Sequence, residues 1–184
     1  MKQHLLKTTL AVAGAMLASI PSFAASNQTA APETGAQLEQ RVRHELVMLP
    51  YFNIYDDLSF KVDDGRVILL GEVTRPTLKS DAETAVKRIA GVKSVENNIE
   101  VLPLSNFDNG IRARVARAVY GQSTLNRYAM GAQPSIHIIV KNGNVTLEGV
   151  VANQMDRNIA GIQANGVPGV FNVTNNLRVE NKRS

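Results

Sequence analysis

The stretch VDDGRVILLGEV at residues 62–73 recurs at an offset of 78 as VKNGNVTLEGVV at residues 140–151. Each stretch holds two runs with alternating apolar residues, joined by an Asp-Gly or Asn-Gly pair. Glycine accepts a positive φ freely and Asp or Asn tolerates it, so such a pair favours the tight turn of a β-hairpin. The sequence therefore predicts two β-hairpins that are built in the same way.

The repetition continues on both sides of the hairpins. Downstream the offset stays at 78, so that VENNI at residues 95–99 matches VTNNL at residues 173–177. Upstream it falls to 73, where Arg41-Val42 aligns with Arg114-Val115. The second copy therefore has five extra residues between its first helix and first strand, and the whole pattern indicates an internal duplication.

Each copy also contains two predicted helices and a third strand. Apolar residues at helical spacing predict the first helix; they are Leu38, Val42, Leu46 and Leu49 in one copy and Ile111, Val115, Ala118 and Val119 in the other. The second helices are predicted at residues 78–90 and 154–165, with Gly91 and Gly166 as stop signals. The third strands are predicted at residues 95–102 and 173–179.

The predicted fold class is α+β, with two α-β-β-α-β units. A right-handed crossover would make each sheet three-stranded and mixed, with two helices on one face. Gly71 and Gly149 are expected to let a helix approach this sheet closely. Units of about 65–70 residues have marginal cores, so we expect the outer apolar residues to contact each other or a partner. These residues are Ile68, Leu70, Ile139 and Val150.

The pattern V-x-x-G-x-V-x-L-x-G-x-V, a helix, and then G-V-x-x-V-x-N-x-(I/L) resembles the BON domain, named for bacterial osmotically inducible and nodulation proteins. Both copies match over nearly their whole length, residues 38–103 and about 108–180, with a linker at 104–107. Two such domains after a predicted signal peptide resemble the periplasmic, osmotically inducible proteins that carry two BON domains. The resemblance implies the α-β-β-α-β fold, a periplasmic location, binding to phospholipid or envelope components, and no enzymatic activity.

Residues 1–24 resemble a secretory signal peptide. Lys2 and Lys7 precede an apolar run at residues 10–20. The small residues Ser22 and Ala24, at positions −3 and −1, favour cleavage after Ala24, with cleavage after Ala25 as the alternative. The other interpretation is a core helix of a cytosolic protein. Residues 25–37 are rich in Ala, Ser, Thr and Pro and are expected to form a flexible leader.

Composition excludes several classes of protein. The chain is 44% hydrophobic and 20% charged, which is typical of globular proteins and unlike disordered ones. It contains no Cys, which excludes a disulfide scaffold, a thiolate metal site and the lipid anchor of the family's outer-membrane lipoproteins. With no Trp and few aromatic residues, the cores must be aliphatic.

Candidate catalytic and metal-binding residues are few. Beyond the signal peptide the histidines are His44 and His137, and no further ligands are placed near them. The acidic pairs at residues 56–57 and 63–64 lack the spacing of an EF-hand loop. Gly166-Val167-Pro168-Gly169 matches the Gly-x-x-Gly of RNA-binding KH domains, but a connecting turn explains it. We therefore predict no enzyme activity, no cofactor, no metal and no nucleic-acid partner.

Asn97-Asn98 and Asn175-Asn176 admit two interpretations. They could form a polar binding site, or each could bond to nearby backbone and fix a turn. We favour the second interpretation.

Charge is distributed unevenly and suggests a binding surface. Residues 38–103 hold nine Lys and Arg against eleven Asp and Glu, whereas residues 108–180 hold seven against four, and the tail at 181–184 is basic. Arginine meets phosphate and tyrosine suits the headgroup layer of a membrane. Arg117 and Tyr120 are expected to face outward. The candidate lipid-binding residues are Arg112, Arg114, Arg117, Tyr120, Arg127 and Tyr128. A solvated helix face is the alternative.

The sequence thus favours a non-catalytic periplasmic protein that contacts anionic phospholipid or envelope components, through peripheral membrane contact only, in envelope maintenance or osmotic stress. The alternative is a stress-induced, chaperone-like protein that interacts with exported proteins and binds no lipid. An enzyme would depend on the acidic pairs alone.

Overall fold

The computed structural model describes residues 35–131 and 133–180. The predicted signal peptide, most of the predicted leader and the basic tail at 181–184 lie outside these ranges. The first helix begins at Gly35, within the segment predicted as leader, and the third begins at Asn106, within the predicted linker. Of the helices in the described part of the chain, none has the length and apolar character needed to cross a membrane.

Domain 1, the first copy, has the predicted order of elements. Its helices are α1 (Gly35–Val47) and α2 (Pro76–Lys87), and its strands are β1 (Asp57–Asp63), β2 (Arg66–Val73), β3 (Ser94–Asn97) and β4 (Glu100–Val101). Strand β2 lies in the centre, antiparallel to β1 and parallel to β3 and β4. The predicted third strand is therefore split in two, and α2 ends three residues before its predicted end.

Domain 2, the second copy, repeats this arrangement. Its elements are α3 (Asn106–Tyr120), a 3-10 helix (Asn126–Ala129), β5 (Ile136–Lys141), β6 (Asn144–Val151), α4 (Gln154–Asn165), β7 (Asn172–Asn175) and β8 (Arg178–Val179). Strand β6 pairs antiparallel with β5 and parallel with β7 and β8. The predicted fold class is confirmed, with the five extra residues and the 3-10 helix between α3 and β5.

Each domain encloses its own aliphatic core between its helices and its sheet. Val67 and Leu69 of β2 pack in one core, and Val145 and Leu147 of β6 pack in the other, all nearly inaccessible to solvent. Complete burial of one such side chain stabilises the fold by roughly 1.5–3 kcal/mol. The alternation read from the hairpins therefore assigns the correct face of each sheet to the core.

Both hairpin turns have the expected backbone. Asp64 and Gly65 have φ angles of 42° and 80°, and Asn142 and Gly143 have φ angles of 52° and 75°. Two consecutive residues with positive φ are characteristic of the turn that best matches the twist of a hairpin. The prediction from the Asp-Gly and Asn-Gly pairs is confirmed.

Gly71 and Gly149 have a different role from the one predicted. Their φ angles are 116° and 121°. A Cβ added at these positions would lie 2.2 Å from the carbonyl oxygen of Asp57 and 2.0 Å from that of Ser135. The expectation that a helix approaches here is wrong. The close neighbour of Gly71 is the backbone of Asp57 in β1, and that of Gly149 is the backbone of Ser135, which precedes β5.

Asn97 and Asn175 fix the break in each third strand. The Asn97 amide donates to the carbonyl oxygen of Lys79 on α2 at 2.8 Å, and its Oδ1 accepts from the Ile99 amide at 3.2 Å. Asn175 likewise donates to the carbonyl oxygen of Arg157 on α4 at 2.7 Å and accepts from the Leu177 amide at 3.2 Å. These bonds confirm the interpretation of these asparagines as structural.

The two domains contact each other through the loop before β1 and through strand β5. The Ile138 amide donates to the carbonyl oxygen of Ile54 at 2.7 Å, and Lys141 Nζ lies 2.6 Å from Glu100 Oε1. Ile139 is only 2% exposed although it belongs to neither core, whereas Val150 is 36% exposed. On the outer faces Ile139 is therefore covered and Val150 is open, while Ile68 and Leu70 are half-buried.

Candidate functional site

The six residues predicted to share one exposed surface are divided among three environments. Helix α3 turns Arg112 inward, where it is only 4% exposed. Its Nη2 donates to the carbonyl oxygen of Val140 at 2.6 Å, and its Nη1 donates to Asn109 Oδ1 at 2.6 Å. Arg112 is therefore not part of an open cationic face.

Tyr120 is also turned inward, so the prediction that it faces outward is wrong. Its ring packs against the core of domain 2, and its hydroxyl donates to the carbonyl oxygen of Ile136. Burial raises the pKa of Tyr120 above its ordinary value. The reason is the width of the buried stripe on α3: the row at 112, 116 and 120 is covered together with the row at 111, 115 and 119.

Arg127 and Tyr128 form polar contacts with the N-terminal end of α4. The Tyr128 hydroxyl donates to the Asp156 carboxylate and accepts from the Ala152 amide at 2.8 Å. Arg127 pairs with the same carboxylate and lies over the Tyr128 ring at 5.0 Å from its centroid. Asp156 stands in the first turn of α4, where a negative charge is favourable. These two residues therefore have a structural role in the junction between the 3-10 helix and α4.

Arg114 and Arg117 remain on an open surface. They line a groove of about 490 Å³ between α3 and α4. The other residues that line it, none of them acidic, are Ala118, Ile162, Gln163, Gly166, Val167 and Pro168. Within residues 35–131 and 133–180, neither guanidinium forms an ion pair, so both charges are available to a ligand.

An aromatic pair that the sequence did not indicate extends this groove. Phe107 and Phe171 are 50% and 73% exposed, and their ring centroids lie 6.0 Å apart. A Cβ added at Gly169 would lie 3.3 Å from Arg114 Nη2 and 3.6 Å from Phe107 Cζ, which places the arginine beside the aromatic pair. We call the set Phe107, Arg114, Arg117, Ile162 and Phe171 the α3–α4 surface.

Domain 1 has a polar surface at the corresponding positions. At the offset of 78, Phe171 corresponds to Lys93, which packs on Gly65 and forms an ion pair with Asp64 at 2.9 Å. Ile162 corresponds to Thr84. The combination of exposed apolar and cationic side chains is therefore a property of domain 2, and comparison of the two copies is the signal that could have identified it.

The remaining candidate residues lie in different environments. His44 is exposed on α1. His137 is largely buried against Phe52, and this burial lowers the pKa of His137. Asp56 is fully buried and accepts hydrogen bonds from the Thr74 amide at 2.6 Å and the Asn53 amide at 3.2 Å. The described ranges contain no group of three or more His, Cys, Asp or Glu side chains that could hold a metal ion.

Comparison with known proteins gives one family match and several similar solved structures. No curated protein matches the chain. One solved structure is the C-terminal domain of CdsD, the structural protein of the type III secretion system of Chlamydia trachomatis, which is 15% identical. That match covers 80% of this chain and 100% of the other, with a TM-score of 0.30. A second structure of CdsD is 16% identical over 78% of this chain and 93% of the other, with a TM-score of 0.28.

The family match covers both repeats. The model of the BON domain matches residues 34–103 and again residues 108–181. Together these matches span most of the chain, and they coincide with the two α-β-β-α-β units of the structure. The chain is a member of the BON domain family, with two BON domains in tandem.

Proposed function

We propose that this chain is an exported, periplasmic binding protein that contacts anionic phospholipid through the α3–α4 surface of its second BON domain. BON domains are generally non-catalytic and commonly periplasmic, which supports the class and the location. A role in envelope maintenance or osmotic stress is part of the same proposal and depends on the family resemblance.

The observation that carries the proposal is the exposed Phe107–Phe171 pair beside Arg114. Aromatic rings are favoured at the interface between water and lipid, and a guanidinium binds phosphate with charge-assisted hydrogen bonds. In the α3–α4 surface both groups lie together, and the groove beside them is lined by no acidic residue. Such a surface suits the headgroup layer of an anionic bilayer.

The expected strength of this contact is that of a reversible, peripheral association. Each basic residue near an anionic surface contributes roughly 1 kcal/mol, and this contribution is screened by salt. Burial of the two phenylalanine rings adds an apolar contribution that salt does not screen. Complete burial of one ring would contribute about 1.5–3 kcal/mol, and partial burial contributes less. Binding should therefore weaken with salt without disappearing completely.

Flotation of the full chain with vesicles tests the proposal. Phosphatidylglycerol vesicles should carry the protein upward at low salt and less of it at high salt, whereas phosphatidylcholine vesicles should carry little. The double variant Arg114→Glu/Arg117→Glu should lose most of the flotation. The matched control is Lys61→Glu/Arg88→Glu, which makes the same charge change at exposed positions of domain 1. Equal loss in both variants would refute the assignment of the surface.

The alternative is a chaperone-like protein that interacts with exported proteins through the apolar outer faces of its sheets. Ile139 is buried, and Ile68 and Leu70 are half-buried, so these side chains offer little exposed apolar area to a client protein. Suppression of client aggregation without vesicle binding would favour this alternative.

A further inference from the structure

A second cavity, of about 570 Å³, lies where the two domains meet. Domain 1 contributes the loop at residues 52–55 and the start of α2, and domain 2 contributes one side of α3 and the residues before β5. A volume of this size is typical of small-molecule sites, which often occur between domains. The cavity is separate from the α3–α4 surface, since the two sets of lining residues have no member in common.

The charges that line this cavity are all positive. Arg75 and Arg112 face it, and no acidic residue is among the residues that line it. Phe52, Ile54 and Pro134 provide apolar walls. Two cations with an apolar lining favour an organic anion over a neutral or cationic molecule.

Arg112 is an incompletely satisfied buried cation. Its two terminal nitrogens donate to Asn109 Oδ1 and to the carbonyl oxygen of Val140, but its Nε is buried and has no hydrogen-bond partner. A buried N–H without a partner is unfavourable, because it has lost its hydrogen bond to water. The wall of the cavity thus includes a cationic side chain whose hydrogen-bonding capacity is not fully used.

The carboxylates nearest to Arg112 are engaged elsewhere. Asp56 accepts from the amides of Thr74 and Asn53, and Asp108 accepts from the amides of Asn142 and Gly143. Among the described residues, no carboxylate forms an ion pair with Arg112. Both carboxylates still attract the Arg112 guanidinium electrostatically and compensate part of its charge, but neither of them accepts a hydrogen bond from its Nε.

Arg75 supplies the second cation from the opposite domain. Its guanidinium lies over the ring of Tyr51 at 4.8 Å from the centroid, an arrangement that limits its freedom of movement. It is exposed, and it forms no ion pair within the described part of the chain.

We propose that the cavity between the two BON domains binds a small organic anion whose carboxylate or phosphate group contacts Arg75 and Arg112 and whose apolar part contacts Phe52, Ile54 and Pro134. Because both domains form the walls, the ligand connects them, and binding requires the full chain.

Nuclear magnetic resonance of the full chain can follow the Arg Nε–H signals during titration. Phenyl phosphate and phenylacetate should each shift the signals of Arg75 and Arg112 in a saturable manner. Inorganic phosphate, which has no apolar part, should bind at least ten times more weakly. Phenylacetamide, a neutral analogue, should cause no comparable shift. A short-chain phosphatidylglycerol below its micelle concentration reveals whether a lipid headgroup can also supply the anion.

Two variants locate the binding. Ala113→Phe adds a ring on the α3 side of the cavity, and Arg75→Gln removes one exposed cation. Each should raise the Kd for phenyl phosphate at least tenfold, with a thermal unfolding midpoint close to that of the wild type, while Lys61→Gln leaves the Kd unchanged. The proposal is overturned if none of the anionic probes shifts Arg112, if phenylacetamide shifts it as strongly, or if Ala113→Phe binds phenyl phosphate as well as the wild type.

Discussion

The ring of Phe52 stacks on the imidazole of His137, with centroids 5.4 Å apart and planes inclined by 26°. This contact joins the loop before β1 in domain 1 to strand β5 in domain 2. Beside it, the Ile138 amide donates to the carbonyl oxygen of Ile54. The loop thus covers part of an edge strand that would otherwise present an unpaired backbone amide.

Phe52→Ala should weaken the contact between the domains. Loss of the aromatic pair and its burial should lower the free energy of unfolding by about 1–3 kcal/mol. The amide of Ile138 should then exchange with solvent hydrogen faster, which hydrogen-exchange mass spectrometry or NMR can measure. Met48→Ala, at an exposed position, serves as the control. Unchanged exchange at Ile138 would show that the stacking does not hold the loop in place.

The stability of the chain should depend on pH through Asp57. Burial first, and then the Glu148 carboxylate, raise the pKa of Asp57 to about 6, whereas Arg178 lowers it. Glu72, the cross-strand partner of Asp57, has a pKa that is raised for the same first reason. A raised pKa means that the folded state holds the proton more tightly, so this contribution to stability is present at low pH and is lost as pH rises through 6.

Asp57→Asn should therefore stabilise the protein at pH 7.5 by about 1 kcal/mol, after allowance for partial solvent exposure, and have little effect at pH 3.5. Urea unfolding of both proteins across this range measures the effect. Parallel stability curves for the variant and the wild type would contradict the assigned role of Asp57.

Gly149→Ala should be strongly destabilising. The residue has a φ of 121°, and an added Cβ would lie 2.0 Å from the Ser135 carbonyl oxygen. We expect a loss of about 2–4 kcal/mol in the free energy of unfolding, from backbone strain and steric overlap together. The matched control is Gly166→Ala, because Gly166 has a φ of −76° and its added Cβ would lie 3.6 Å from the carbonyl oxygen of Ile162. Similar losses at both positions would exclude this explanation.

Tyr128→Phe tests whether Tyr128 has a structural role or binds lipid. Removal of the hydroxyl leaves the Ala152 amide and the Asp156 carboxylate each with one hydrogen bond fewer. The free energy of unfolding should fall by about 1–3 kcal/mol, whereas flotation with phosphatidylglycerol vesicles should not change at a temperature where the variant is folded. A selective loss of flotation with unchanged stability would return Tyr128 to the lipid-binding surface.

The fold was predictable because the elements predicted in one copy of the repeat could be checked against those predicted in the other. The Asp-Gly and Asn-Gly turns and the alternation from Val67 to Val73 specify local geometry that burial then reinforces. The inward position of Tyr120 was not predictable from the apolar stripe, because a second row of α3 is covered by β5. Arg112 was placed wrongly for a related reason, since its environment includes domain 1, which sequence periodicity in α3 does not describe.

The aromatic pair is a product of tertiary structure. Phe107 lies in the first turn of α3 and Phe171 precedes β7, so they are far apart in the chain and meet only when the Asn142-Gly143 turn lies beneath them. Alignment of the two copies shows that Phe171 corresponds to Lys93. That Phe171 forms an exposed aromatic pair is visible only from its contact with Phe107.

The most direct test of the central claim uses the absence of tryptophan from the chain. Phe171→Trp places a single tryptophan on the α3–α4 surface, and Lys93→Trp places one at the corresponding position of domain 1, and excitation at the red edge of the tryptophan band avoids the four tyrosines. With phosphatidylglycerol vesicles that contain brominated acyl chains, the emission of Phe171→Trp should shift to shorter wavelength and be quenched, while that of Lys93→Trp should stay unchanged. Equal responses in the two variants, or none at Phe171→Trp when the protein floats with the vesicles, would contradict lipid contact through this surface.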